Sequence, residues 1–334
     1  MLKKNTISLC MIVKNEEESI ERCLNSIKEL VDEIIIVDTG SSDRTIDICK
    51  QYSQNVYPFL WNYNFSEARN FSIQLAKSKW ILCLDADEEF DGNEISNLKD
   101  SINKKKEQLF YLPILNYVGN TVAENNIYQI FQPRLFCNGV GFRFQNKIHE
   151  TLCIPPNFSQ YGILNIPIRH YGYLNSRVKS KKKNYRNLEI LKSELEIQNH
   201  TPWIEYHMAS EHYGVKDYEK ALYFINQAIL KFLAQETLPP AIAYRLKYTI
   251  IMESGNIAKD WRGIDFAIQI YPDYVDLYFI KANILFYLKK YQDALEAVNC
   301  CLDLGENNYK YLILKGTGSF RAIKLKQKCL EKLK

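Results

Sequence analysis

Along the first third of the chain, short runs rich in Ile, Val and Leu alternate with stretches of helical period. Residues 7–13, 33–37 and 80–84 are nearly continuous apolar runs, and 19–30, 45–52 and 65–76 lie between them. Strands buried on both faces by crossover helices read this way, so the pattern predicts an α/β domain with a parallel sheet. Each run ends in polar residues: Lys14-Asn15-Glu16, Asp38-Thr39-Gly40 and Asp85-Ala86-Asp87. Ligands of open α/β sheets bind beyond the carboxyl ends of the strands, which places these three clusters around one crevice.

From 110 to 173 the pattern changes to short β-like pieces punctuated by Gly and Pro, including 110–113, 135–139 and 163–168. These belong to the mixed half of the same domain. Residues 175–199 are strongly charged, with Val178, Tyr185, Leu188, Leu191 and Leu195 on one helical stripe, and predict a connecting helix. The lysines at 179, 181, 182 and 183 are read as a solvated face. After Thr201-Pro202 the chain reads as helical hairpins with an internal repeat. Residues 209–222 overlie 282–295 at a constant shift of 73 (291 − 218), matching Ala209 to Ala282, Tyr213 to Phe286 and Ala221-Leu222 to Ala294-Leu295. A middle unit near 241–267, with Trp261 and Gly263, matches poorly. The expected division is 1–174, 175–200 and 201–334.

Composition narrows this picture without directing it. The 334 residues carry 43 Lys+Arg against 39 Asp+Glu, a net +4 that offers no dominant basic field and argues against nucleic acid as partner. Nine cysteines lie within apolar runs such as Ile7-Ser8-Leu9-Cys10-Met11, which predicts free thiols in a reducing cytoplasm. No run approaches the roughly 20 apolar residues of a membrane helix.

Three segments carry candidate chemistry. The strand ending in Asp85-Ala86-Asp87-Glu88-Glu89 gathers carboxylates where burial is costly unless a cation meets them. A hard divalent metal shared with a diphosphate would do so, and so would an acidic loop that caps the next helix without any ligand. At the end of the second strand, Asp43 is placed to cap a helix, and Asp38 to accept hydrogen bonds from a base or ribose. In Phe65-Ser66-Glu67-Ala68-Arg69-Asn70, Arg69 suits either a diphosphate or a local carboxylate. There is no G-x-G-x-x-G after the first strand and no phosphate-binding G-x-x-x-x-G-K-[ST], which removes the main support for dinucleotide and P-loop readings.

In order and spacing, the segment from Ile7 to Glu16, Asp38-Thr39-Gly40-Ser41-Ser42-Asp43, Phe65 to Asn70 and Leu84-Asp85-Ala86-Asp87-Glu88 resembles family 2 glycosyltransferases over roughly residues 6–175. Gln145-Asn146-Lys147-Ile148-His149-Glu150 and Ile168-Arg169-His170-Tyr171-Gly172-Tyr173 resemble the branch that includes sublancin-type peptide S-glycosyltransferases, and the C-terminal segments resemble tetratricopeptide repeats. The resemblance implies a GT-A fold followed by helical repeats, and a UDP-sugar donor. It implies Mn²⁺ or Mg²⁺ at Asp85 and Asp87, and inverting transfer to an acceptor. His170 is then a further metal or diphosphate contact, Arg69 a second cation at the diphosphate, and Glu16 and Asp38 the nucleoside end. Glu150, then His149, is the expected base. A peptide or protein side chain (Cys, Ser or Thr) is the favoured acceptor, with a cell-surface glycan as alternative. A homodimer through the repeats is a further expectation. The rivals are a nucleotidyltransferase, disfavoured because Lys14-Asn15-Glu16-Glu17-Glu18 is not Gly-rich, and a repeat scaffold with an idle sugar-nucleotide site.

Overall fold

A computed structural model describes residues 5–104, 106–156, 158–174, 183–255, 257 and 261–334. Two compact units are present: residues up to 122 together with 131–174, and residues 123–130 together with the described residues from 183 onward.

The first unit runs β1 (Ile7–Val13), α1 (Ile20–Ile27), β2 (Glu33–Asp38), α2 (Thr45–Tyr52), β3 (Val56–Pro58), α3 (Phe65–Leu75) and β4 (Trp80–Cys83). It continues with β5 (Glu88–Phe90), α4 (Ile95–Lys104), β6 (Leu109–Tyr117), β7 (Ile127–Cys137, whose first four residues belong to the second unit), β8 (Arg143–Gln145), β9 (Thr151–Cys153), β10 (Tyr161–Ile163) and β11 (Ile168–His170). The sheet order is β3-β2-β1-β4-β7-β6-β11-β5, with β10 beside β6 and β8-β9 as a separate hairpin. β1 is parallel to both β2 and β4, whereas β7 runs antiparallel to β4. The apolar run of β1 is explained by this central place: every residue of it except Ile12 is buried. Because Val13 lies opposite Asp38 and Cys10 opposite Cys83, the polar segments after β1, β2 and β4 leave the sheet on the same side.

The β-like run expected at 163–168 divides into β10 and β11, both parallel to β6. Pro167 lies between them and has no N–H to give a ladder. All nine cysteines are free, as their placement in apolar runs predicts.

In the second unit, α5 (Lys183–Leu195) precedes α6 (Trp203–Gly214), α7 (Tyr218–Ala234), α8 (Ala241–Glu253), the shorter α9 (Ile264–Ile270), α10 (Val275–Tyr287), α11 (Tyr291–Leu304) and α12 (Phe320–Leu333). Val178 and the lysines at 179, 181 and 182, read as part of the connecting helix, fall outside the described residues. The repeat is explained by packing: Ala209, Ala221, Ala282 and Ala294 are all fully buried where helix pairs meet. A short strand, β12 (Ile313–Leu314), pairs with Tyr128 and Gln129 at the start of β7. Among the described residues no helix is long and apolar enough to cross a membrane.

Candidate active site

The loops after β1 and β2 are tied to each other. Asn15, held at φ 53°, donates its N–H to the Ser41 hydroxyl, and its side-chain oxygen accepts from Ser42 N–H. The Glu16 N–H donates to the Thr45 hydroxyl at 2.7 Å, and its carboxylate accepts from Ser19 at the entry to α1. Buried Asp38 folds back on its own loop, where it accepts from Gly40 and Ser41 N–H at 3.0–3.2 Å. Gly40 sits at φ +100°, a conformation that L side chains rarely adopt, so this turn requires glycine. Asp43 accepts from Thr45 N–H at the start of α2, the capping role its position suggests.

The strand-end carboxylate Asp85 meets two arginines. Arg69 Nη2 donates to Asp85 Oδ1 at 2.6 Å, and Arg134 Nη2 lies 3.7 Å from Asp85 Oδ2. Arg69 reaches inward because α3 turns Ser66, Ala68, Arg69 and Ser72 toward the protein. The start of α3 is docked on the segment before β9: Phe65 N–H donates to the Lys147 carbonyl and the Ser66 hydroxyl to the Asn146 carbonyl. Asn70 then clamps β8, donating to the Phe144 carbonyl at 2.9 Å and accepting its N–H at 2.7 Å. These contacts bring Glu150 to Arg69, with Oε1 2.5 Å from Nε. His149, next to it, has φ 51°.

Arg134, which no sequence motif singles out, comes from β7 and also donates to Glu88 Oε1 at 2.5 Å. The other oxygen of Glu88 accepts the Asp85 N–H at 2.8 Å. Burial alone would push the Asp85 carboxyl up, but Arg69 and Arg134 outweigh it and hold it below the ordinary range. For Glu88 burial prevails over Arg134 and the carboxyl is pushed up, with Asp85 adding to the effect. A buried charge is tolerated when it is paired and hydrogen-bonded, and for Asp85 the protein supplies those partners itself.

Asp87 points to a different neighbour. His170 Nε2 lies 3.3 Å from Asp87 Oδ1, while His170 Nδ1 is 2.7 Å from Asn116 Oδ1. Burial disfavours a charged imidazole, but Asp87 outweighs it and the ring holds its proton more tightly than a free histidine. The backbone holds this corner: His170 lies opposite Glu88 on one side and Asn116 on the other, and Tyr171 N–H donates to the Asp87 carbonyl. A Cβ at Gly172 would stand 2.3 Å from Asp87 Oδ2 and 2.6 Å from His170 Nε2. Only glycine lets the carboxylate and the imidazole pack this closely against the backbone.

Among the eight residues expected at the site, Arg69, Asp85 and Glu150 thus form one ion-paired chain, and Asp87 and His170 form a separate pair. Glu16 and Asp38 lie in the tied loops beyond β1 and β2. Among the described residues no three His, Cys, Asp or Glu side chains form a ready-made metal cage, because Asp85 faces the arginines. Arg134 and Asn116 were illegible in the sequence, since each lies inside an ordinary strand run far from any motif.

A mostly parallel sheet with charged side chains gathered beyond its strand ends is a ligand-binding α/β domain of the GT-A kind. Residues 8–160 match the model of the family described as Glycosyl transferase family 2, and this segment is a glycosyltransferase domain of that family. A TPR repeat-containing protein of Synechococcus elongatus is 31% identical over 254 residues, which is 74% of this chain and 61% of that protein. The SPbeta prophage-derived glycosyltransferase SunS of Bacillus subtilis is 28% identical over 325 residues, covering 93% of this chain and 74% of SunS. The chain therefore spans about three-fifths of the length of the first of these relatives. Among solved structures, S. aureus TarS 1-349 is 12% identical with a TM-score of 0.40, over 74% of this chain and 85% of that one.

Proposed function

We propose that the protein transfers a sugar, with inversion, from a nucleoside diphosphate sugar of the UDP class to a nucleophilic side chain of a peptide or protein. The observation that carries this reading is the pairing of two corners at one strand end: a guanidinium cluster at Asp85 and a carboxylate–imidazole pair at Asp87. Arg69 spends Nε and one Nη2 donor on carboxylates, and Nη1 retains two donors suited to a diphosphate oxygen. Glu16 and Asp38 take the nucleoside end.

The residues present fit a divalent cation. His170 Nε2 lies 3.3 Å from Asp87 Oδ1, and a divalent cation would take the place of the proton that otherwise joins them. Asp87 and His170 would hold Mn²⁺ or Mg²⁺, which take few protein ligands and complete their shell with phosphate oxygens and water. When bound, such an ion neutralises charge on the departing diphosphate. On the acceptor side, the nucleophile attacks the anomeric carbon as the bond to the diphosphate breaks and the electron pair leaves with it. Glu150, oriented by Arg69, accepts the proton of the nucleophile, with His149 as the second candidate. The stacked helical pairs of the second unit favour a polypeptide acceptor, since such stacks commonly present protein-binding grooves.

Glu150→Gln tests the assignment. With a UDP-sugar panel and product detection by mass spectrometry, transfer should slow by about 10²-fold while UDP binding is unchanged. Weakened UDP binding at an unchanged transfer rate would instead make Glu150 the residue that holds Arg69. If no nucleoside diphosphate sugar binds at all, the reading fails as a whole.

A further inference from the structure

We propose that Asn116 is a positioning residue that sets the tautomer and orientation of His170, so that Nε2 and not Nδ1 is presented to the Asp87 corner. The inference rests on the metal reading above for its consequence, but not for its geometry. Asn116 is buried on β6, directly opposite His170 on β11. Its side-chain oxygen is 2.7 Å from His170 Nδ1. With the amide oxygen as acceptor Nδ1 carries the hydrogen, and once the ring is neutral its lone pair lies on Nε2, 3.3 Å from Asp87 Oδ1, the acceptor that competes for the same proton.

Two further contacts make the orientation specific. Tyr173 meets the imidazole edge to face at a centroid distance of 4.9 Å, which limits rotation of the ring about its χ2 axis. On the Nε2 side the ring packs against the backbone of Gly172, where a Cβ would stand 2.6 Å from Nε2, and on the Nδ1 side Asn116 covers it, so both edges of the imidazole are fixed. A histidine ligand whose other nitrogen donates to a fixed acceptor is more basic at the free nitrogen and spends no entropy on finding the right tautomer.

The inference assigns Asn116 a role separable from folding. Asn116→Leu keeps the size of the side chain but removes the acceptor, and Asn116→Asp restores one. The first measurement uses metal-free protein with ¹⁵N-labelled histidine, at a pH alkaline enough to neutralise the ring. The wild type and Asn116→Asp should show His170 protonated at Nδ1, and Asn116→Leu a mixture of tautomers. The second is Mn²⁺ titration in the presence of UDP, followed by the electron paramagnetic resonance of free Mn²⁺. Asn116→Leu should bind about 10- to 100-fold more weakly, and Asn116→Asp should recover most of the loss. A wild-type ring protonated at Nε2, or an Asn116→Leu variant with wild-type tautomer and Mn²⁺ affinity, overturns the proposal. Should Asn116→Leu fail to fold, the wild-type tautomer still decides the matter. A wild type with the expected tautomer that binds no Mn²⁺ would sink the metal reading and leave the orientation of His170 by Asn116 standing.

Discussion

Both units bury an arginine against an aspartate, and they do so to different ends. In the helical unit Arg245 Nε donates to Asp276 Oδ2 at 2.7 Å, and Asp276 also accepts from Leu314 N–H and the Thr317 hydroxyl. One cation faces one anion and the carboxylate oxygens are saturated. At the end of β4, four carboxyl groups (Asp85, Asp87, Glu88 and Glu150) meet two guanidinium groups (Arg69 and Arg134) and one imidazole (His170), so acidic groups outnumber basic ones. A closed, balanced pair locks helices together. A cluster in which acidic groups outnumber basic ones is what the proposed cation site requires, and the Arg245–Asp276 pair has no such surplus.

That contrast can be broken most severely at Asp87. Asp87→Ala should reduce sugar transfer by at least about 10²-fold, because it removes half of the carboxylate–imidazole pair at the strand end, while circular dichroism stays that of the wild type. Full turnover in this variant would move the cation site elsewhere. Gly172→Ala places a methyl where Asp87 Oδ2 and His170 Nε2 pack against the backbone, so the pair must move and a comparable loss of UDP-sugar turnover is expected. A Gly172→Ala enzyme as active as the wild type would show that the placement of this pair does not matter for transfer.

In the helical unit the expected readout is stability. Arg245→Ala leaves Asp276 buried without its cation and should cost about 3–5 kcal/mol in denaturant unfolding of the helices. An effect below about 1 kcal/mol would mean that Leu314 and Thr317 alone satisfy Asp276. An intermediate case is Asn70→Leu, which removes both bonds to Phe144 and should cost about 2 kcal/mol while slowing transfer, since the hairpin that delivers Glu150 is released. Lost stability at wild-type turnover would uncouple the hairpin from catalysis.

The smallest effect is expected at Asp43. Burial alone would raise its pKa, but the hydrogen bonds from the Thr45 hydroxyl and the Thr45 and Glu17 N–H groups prevail and lower it. A lowered folded-state value contributes stability that is fully present above the unfolded value and is lost as pH falls through the folded one. The difference between the wild type and Asp43→Ala, about 1 kcal/mol at neutral pH, should therefore shrink below about pH 4. A difference that persists undiminished into acid would assign the effect to packing and not to charge.

Much of this protein was legible along the chain. Three apolar runs marked the central strands, because a strand covered on both faces cannot alternate. The constant 73-residue shift marked matched helical pairs, because only small residues such as Ala209 and Ala282 fit where the helices touch. Arg69, Asp85 and Asp87 could be named from their chemistry at a helix start and a strand end, and Glu150 and His170 from the family resemblance. What the sequence left open was which cation meets which anion. Arg69 suited a diphosphate or a carboxylate equally well. Tertiary structure decided that Asp85 belongs to Arg69 and Arg134, that Asp87 belongs to His170, and that Asn116 sits behind the imidazole. Strand pairing makes most of those choices: Asn116 and His170, 54 positions apart, become neighbours through the register of β6 with β11, and the pairing of β4 with β7 brings Arg134 to Asp85, and no local pattern along the chain encodes that register.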